Sequence, residues 1–135
     1  MCTAISYKTK DHYFGRNLDM DASYEETITI TPRNYPFEFR KESVLEHHYA
    51  IIGVAYIQLD YPLYYDAVNE KGLGMAGLLF AGNAVYSHEK KLKKDNVASF
   101  EFIPWILAKC SCIDEVKILL SKINLINMNF NDQLP

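Results

Sequence analysis

The sequence predicts an α+β fold, on three observations. Short runs of β-branched and aromatic residues fill the first 80 positions. Beyond residue 98 the apolar spacing changes to a helical period. The two kinds of segment also follow one another, strands first, instead of alternating as they would around a parallel sheet.

Residues 2–7 and 13–17 read as a hairpin, because the polar stretch KTKDH between them has the length of a hairpin connection. The run 26–31 alternates Thr27, Thr29 and Thr31 with Ile28 and Ile30 and stops at Pro32, the pattern of a half-buried antiparallel strand. Residues 49–56 and 63–68 are two further strands. The turn Asn69-Glu70-Lys71-Gly72 then leads into 73–80, an apolar strand bearing glycines. Its glycines at 72, 74 and 77 suit either a bulged buried strand or one that a ligand approaches closely, and the residues leave both open. Positions 82–98 read as a polar loop.

Two amphipathic helices follow. Ile103, Ile106, Leu107 and Cys110 share one face of the first, which starts near Phe102 so that Pro104 falls in its first turn. Ile113, Val116, Leu119, Leu120 and Ile123 share a face of the second, with Ser111 as its expected N-cap and Asp114 three residues on. Residues 123–130 begin a last strand. The chain then stops at Pro135, just after a fresh apolar segment and with no polar tail, an odd place for a natural C-terminus.

At 135 residues, 49% hydrophobic and 23% charged, the chain has the size and composition of one domain. Its net charge of −3 is spread along the sequence. The one basic run, KKLKK at 90–94, lacks interleaved aromatics and reads as a solvated loop, so no nucleic-acid partner is expected. No stretch has the length of a membrane span, and Lys8, Lys10, Asp11 and His12 leave no room for an apolar signal core. The expected place is the cytoplasm, with no membrane partner. Cys110 and Cys112 stand too close for the usual zinc spacing and read as reduced structural thiols, so neither a metal nor a cofactor is expected.

Cys2 is the residue with chemistry to offer. Removal of Met1 is favoured before a small residue and leaves Cys2 carrying both a thiol and an α-amino group. The amine, with an ordinary pKa of about 7.7–8.0, is a base near neutrality, so such a residue needs no histidine for activation. The hairpin brings Arg16 toward it, a permanent cation able to stabilise a thiolate, and Asp19 just beyond is placed to orient the amine. The competing reading, a small buried cysteine of no catalytic use, stays open on these residues alone. His12, His47, His48 and His88 lie in turns and charged loops and read as surface or structural groups.

Taken in succession, MCTAISY, YFGRNLD, ITPRNYPFEFR, HHYAIIGVA, YPLYYDAVNEKGLGMAGL and FEFIPWILAKC resemble the choloylglycine hydrolase family, which includes bile salt hydrolases and penicillin V acylases. The resemblance runs over essentially the whole chain. It implies an N-terminal nucleophile (Ntn) hydrolase αββα sandwich of which residues 1–135 are the N-terminal portion of a single domain. It also implies catalytic roles for Cys2, Arg16 and Asp19, an acyl-pocket position for Leu18, and an oxyanion-binding backbone N–H at Leu79. Bile salt hydrolases usually carry asparagine at that last position and penicillin V acylases tyrosine, so leucine is a departure. The implied reaction is hydrolysis of glycine- or taurine-conjugated bile acids through a thioester, in a homotetramer when the enzyme is complete. The alternatives are penicillin V acylase chemistry and an inactive fragment that lacks later catalytic residues.

Overall fold

The computed structural model describes residues 2–80 and 82–132. Met1, Ala81 and the last three residues, 133–135, lie outside them, and with them the expected loss of Met1 and the ending on Pro135. The fold is α+β. A hairpin, β1 (Thr3–Lys8) and β2 (His12–Asn17), stands beside a four-stranded antiparallel sheet in the order β3 (Thr27–Thr31), β4 (Ile51–Gln58), β5 (Tyr61–Asn69), β6 (Gly74–Ala76). A parallel pair, β7 (Asp95–Ala98) and β8 (Ile123–Ile126), is joined by α1 (Phe102–Lys109) and α2 (Ile113–Leu120).

The core lies between α1 and the four-stranded sheet. Phe37, Ile51, Ala55, Ala67, Trp105 and Leu107 are buried there, with Phe37 stacked on Phe39 and Phe39 edge-on to Trp105. Asn69 ties the layers together. Its amide donates to the carbonyls of Leu107 and Cys110 at 2.8 and 2.7 Å, satisfying the C-terminal end of α1, while its side-chain oxygen accepts the N–H groups of Lys71 and Leu73. Gly72 closes the β5–β6 turn at φ +83°, a conformation that suits glycine.

Several elements differ from expectation. α1 starts at Phe102 with Pro104 in its first turn, but residues 103–108 are all buried, so it is a core helix and not an amphipathic one. α2 is the reverse, with no fully buried residue. Its N-cap is Cys112, and Glu115, not Asp114, reaches back to the N–H and hydroxyl of Ser111. Ile123 belongs to β8. In β3 the threonine side turns inward, Thr31 being buried and bonded to the Tyr64 hydroxyl, whereas Ile28 and Ile30 are exposed. The strand expected over 73–80 pairs only at 74–76, since beyond Gly77 the chain leaves the sheet and Leu78, Leu79 and Phe80 are exposed. Within the expected loop 82–98 lies β7, whose Val97 and Ala98 are fully buried. KKLKK at 90–94 is a solvent-facing loop as expected. Cys110 is buried but Cys112 is exposed.

Candidate active site

The β1–β2 register pairs Ala4 with Arg16 and Ser6 with Phe14. Because side chains alternate along a strand, Ala4, Ser6, Phe14 and Arg16 share one face of the hairpin, and continuing by one residue puts Cys2 on it too. Ile5, Tyr7 and Tyr13, on the other face, are more than half exposed. Phe14 and Arg16 dock the first face on the sheet. A Cβ built on Gly74 would stand 2.9 Å from the Phe14 ring, so only glycine lets the ring approach β6 this closely.

Arg16 is held on two sides. Nη1 lies 3.4 Å from Oδ2 of Asp66 on β5, and Nη2 donates to the Gly77 carbonyl at 2.9 Å, just past β6. Its side chain is 5% exposed, and Nε has no hydrogen-bond partner among the described residues. A guanidinium so removed from water, with one carboxylate and one carbonyl against it, keeps donors in reserve for a further anion.

Asp66 is there because of a β-bulge. The β4–β5 register slips between Val54 and Ala55, which leaves Ala55 opposite Tyr64 and Val54 opposite Asp66. The buried positions of β5 accordingly change parity, Pro62 and Tyr64 before the slip, Ala67 and Asn69 after it. Without the extra residue Asp66 would follow Pro62 and Tyr64 into the core; with it, the carboxylate turns toward the hairpin. Gly53 accommodates the kink, because a Cβ there would meet the Asp66 carbonyl oxygen at 2.1 Å.

The half-buried Cys2 donates its thiol to the Asp19 carbonyl oxygen at 3.7 Å. Asp19 is exposed and Leu18, which precedes it, is half-buried. Leu79, 88% exposed, lies two residues past the Gly77 carbonyl that accepts from Arg16. The structure therefore brings Cys2, Leu18, Asp19 and Arg16 to one end of the hairpin, and Arg16 reaches the segment that carries Leu79. Asp66 was missed by sequence reasoning. The available signal was a lone carboxylate inside the apolar strand YPLYYDAVN, a group that needs a cationic partner when taken from water.

The histidines stand apart from this site. His12 faces Ser6 Oγ at 2.8 Å, His48 lies between the carbonyls of Tyr35 and Tyr49, and His47 and His88 are exposed. An open cleft of about 230 Å³, lined by Tyr24, Tyr56, Leu63, Tyr65 and Phe130 among others, adjoins the bulge at Tyr65. Among the described residues no three His, Cys, Asp or Glu side chains are grouped to hold a metal ion, and no helix is long and apolar enough to cross a membrane.

Residues 2–134 match the model of the choloylglycine hydrolase family, linear amide C–N hydrolases. The chain is 56% identical over 137 residues to the bile salt hydrolase/transferase of Lactiplantibacillus plantarum, covering 100% of this chain and 41% of that protein. It is 39% identical to the conjugated bile acid hydrolase of Lactobacillus gasseri, covering 97% of this chain and 42% of the relative. The crystal structure of a mutant conjugated bile acid hydrolase from Clostridium perfringens superposes with a TM-score of 0.92 at 37% identity, over 100% of this chain and 42% of that one. The chain thus spans about two fifths of the length of the relatives it matches. It has the Ntn-hydrolase fold of those structures over the part it spans, and it belongs to the choloylglycine hydrolase family.

Proposed function

We propose that the chain carries the nucleophile end of a bile salt hydrolase, cleaving the amide that joins a bile acid to glycine or taurine. The observation that carries this reading is the buried Arg16 guanidinium, pinned on the hairpin face that the strand alternation gives to Cys2. The relatives named bile salt hydrolase/transferase and conjugated bile acid hydrolase favour conjugated bile acids as the substrate. One solved relative is a cysteine-to-alanine mutant and another an arginine-to-leucine variant.

In the proposed reaction Met1 is removed, and the Cys2 α-amino group takes the thiol proton directly or through one water. The sulfur adds to the amide carbon, and the Leu79 backbone N–H donates to the oxyanion; one such donor is worth about 10²–10³-fold in rate. Collapse breaks the C–N bond, the amine returns the proton to the departing glycine or taurine nitrogen, and a thioester remains. Water activated by the same amine then releases the bile acid and the thiol. Arg16 stabilises the thiolate, Asp19 orients the α-amino group, and Leu18 lines the acyl pocket. Residues 1–135 are the N-terminal portion of one domain of a cytoplasmic homotetramer, and residues supplied from beyond them complete the site.

Intact mass of the purified protein tests the first step, with Met1 expected to be absent. Release of glycine from glycocholate and of taurine from taurocholate by the full-length protein, with penicillin V alongside, tests the second. Both amines should appear faster than penicillin V is cleaved, and Cys2→Ala should abolish release. A retained Met1, or hydrolysis that survives Cys2→Ala, overturns the assignment. Activity confined to penicillin V moves the substrate and keeps the nucleophile.

A further inference from the structure

We propose that Asp66 is a positioning residue that sets the reactivity of Cys2 through Arg16. The inference rests on the reading of Arg16 as the partner of the Cys2 sulfur. Three observations carry it. The Arg16 side chain is almost fully buried, and among the described residues its guanidinium has two polar neighbours, Asp66 Oδ2 at 3.4 Å and the Gly77 carbonyl at 2.9 Å, with Nε left over. The register slip between Val54 and Ala55 turns Asp66 out of the core and toward the hairpin. Gly53 permits that slip, since any Cβ there would strike the backbone of Asp66.

A carbonyl fixes one Nη of a guanidinium but leaves the plane free to swing about that bond. A carboxylate on the other Nη holds the plane and keeps a full positive charge buried by pairing it. With Asp66 in place the guanidinium is held on the hairpin face that strand alternation gives to Cys2. Without it the buried cation has every reason to turn toward water, and the thiolate loses its counter-charge.

The test is site-resolved alkylation of Cys2 by iodoacetamide from pH 5 to 10, read by peptide mass spectrometry on the purified protein, with the urea midpoint followed in parallel. The charged groups that bear on the profile are Arg16, Asp66, Asp19 and the α-amino group. Asp66→Asn is expected to raise the midpoint by about one pH unit, which is tenfold less thiolate near neutrality. Arg16→Met should do the same, and Asp66→Asn should add nothing in the Arg16→Met background. Asp66→Glu should recover part of the shift. A shift from Arg16→Met with none from Asp66→Asn overturns the role of Asp66 and leaves the Arg16 reading intact. A shift from Asp66→Asn that persists in the Arg16→Met background also overturns it. No shift from either variant overturns the Arg16–Cys2 reading itself. Where Asp66→Asn does not fold, side-chain NMR of Arg16 in the unaltered protein decides: two slowly exchanging Nη signals support a pinned guanidinium, and a single averaged signal overturns it.

Discussion

The hairpin and the α1 layer are built on opposite terms. Every residue of β1 is exposed and β2 is only half-buried at Gly15 and Arg16, whereas α1 is buried from Ile103 to Ala108 and β5 alternates buried and half-buried positions. The α1 layer is held by apolar area and by Asn69. The hairpin docks on the sheet through the Phe14 ring over Gly74 and through Arg16, clamped by Asp66 and Gly77. The element that carries the candidate nucleophile is therefore attached through a few directional contacts, and the element that carries none of the chemistry supplies the stability.

Substitutions should separate the two regions. The largest stability effect is expected in the core: Leu107→Ala, at a fully buried position, should cost about 2–5 kcal/mol by urea denaturation. Asn69→Ala should cost about 3 kcal/mol, because two helix-end carbonyls and two turn N–H groups lose their partner together. Gly53→Ala sits on the border. Its Cβ must displace the Asp66 backbone, at about 1–3 kcal/mol, and Cys2 reactivity should change with it, which Leu107→Ala should not cause. Were Leu107→Ala to alter Cys2 alkylation in the folded protein, the separation would fail. On the hairpin, Ile5→Ala at an exposed site should cost under about 0.5 kcal/mol.

The smallest expected effect is electrostatic. Glu70 accepts hydrogen bonds from Arg33 and from the Ala50 N–H, and the guanidinium, ahead of that N–H, lowers its pKa to about 2. Its folded-state pKa lies below the ordinary 4.5, so its contribution is present above 4.5 and is lost as pH falls toward about 2. An acid titration of stability should be slightly shallower over that window in Glu70→Gln. Because Arg33 is mostly exposed, salt should remove most of the difference. Equal slopes in both proteins at low salt would show the pair to be inert.

Local rules made some of this molecule legible. The hairpin, the start of α1 at Phe102 and the turn at Gly72 follow from turn chemistry and from proline in a first helical turn, all short-range constraints. β7 was hidden because Asp95 and Asn96 look like loop residues, and its partner β8 lies beyond both helices. The outward face of Ile28 and Ile30 was equally hidden, since alternation alone does not say which side meets the core. In the candidate site, Cys2, Arg16 and Asp19 were visible as residue types at hairpin spacing. Asp66 was not, because its direction depends on a one-residue slip between β4 and β5 that neither strand announces.

The contrast between the local β1–β2 pairing and the long-range β7–β8 pairing also orders events in time. β1 and β2 close across residues 9–11, a step of about 1–10 μs, whereas pairing Asp95 with Ile123 must close a long loop that spans both helices and is expected to be slower. A lone two-stranded hairpin is marginal in water, so it should form and dissolve repeatedly until Gly74 and Asp66 arrive to hold it. During refolding, pulse-labelled amides of β1 and β2 should gain protection together with β6, not ahead of it. The first residues of the chain would thus stay open to processing until the sheet that will hold the hairpin has formed.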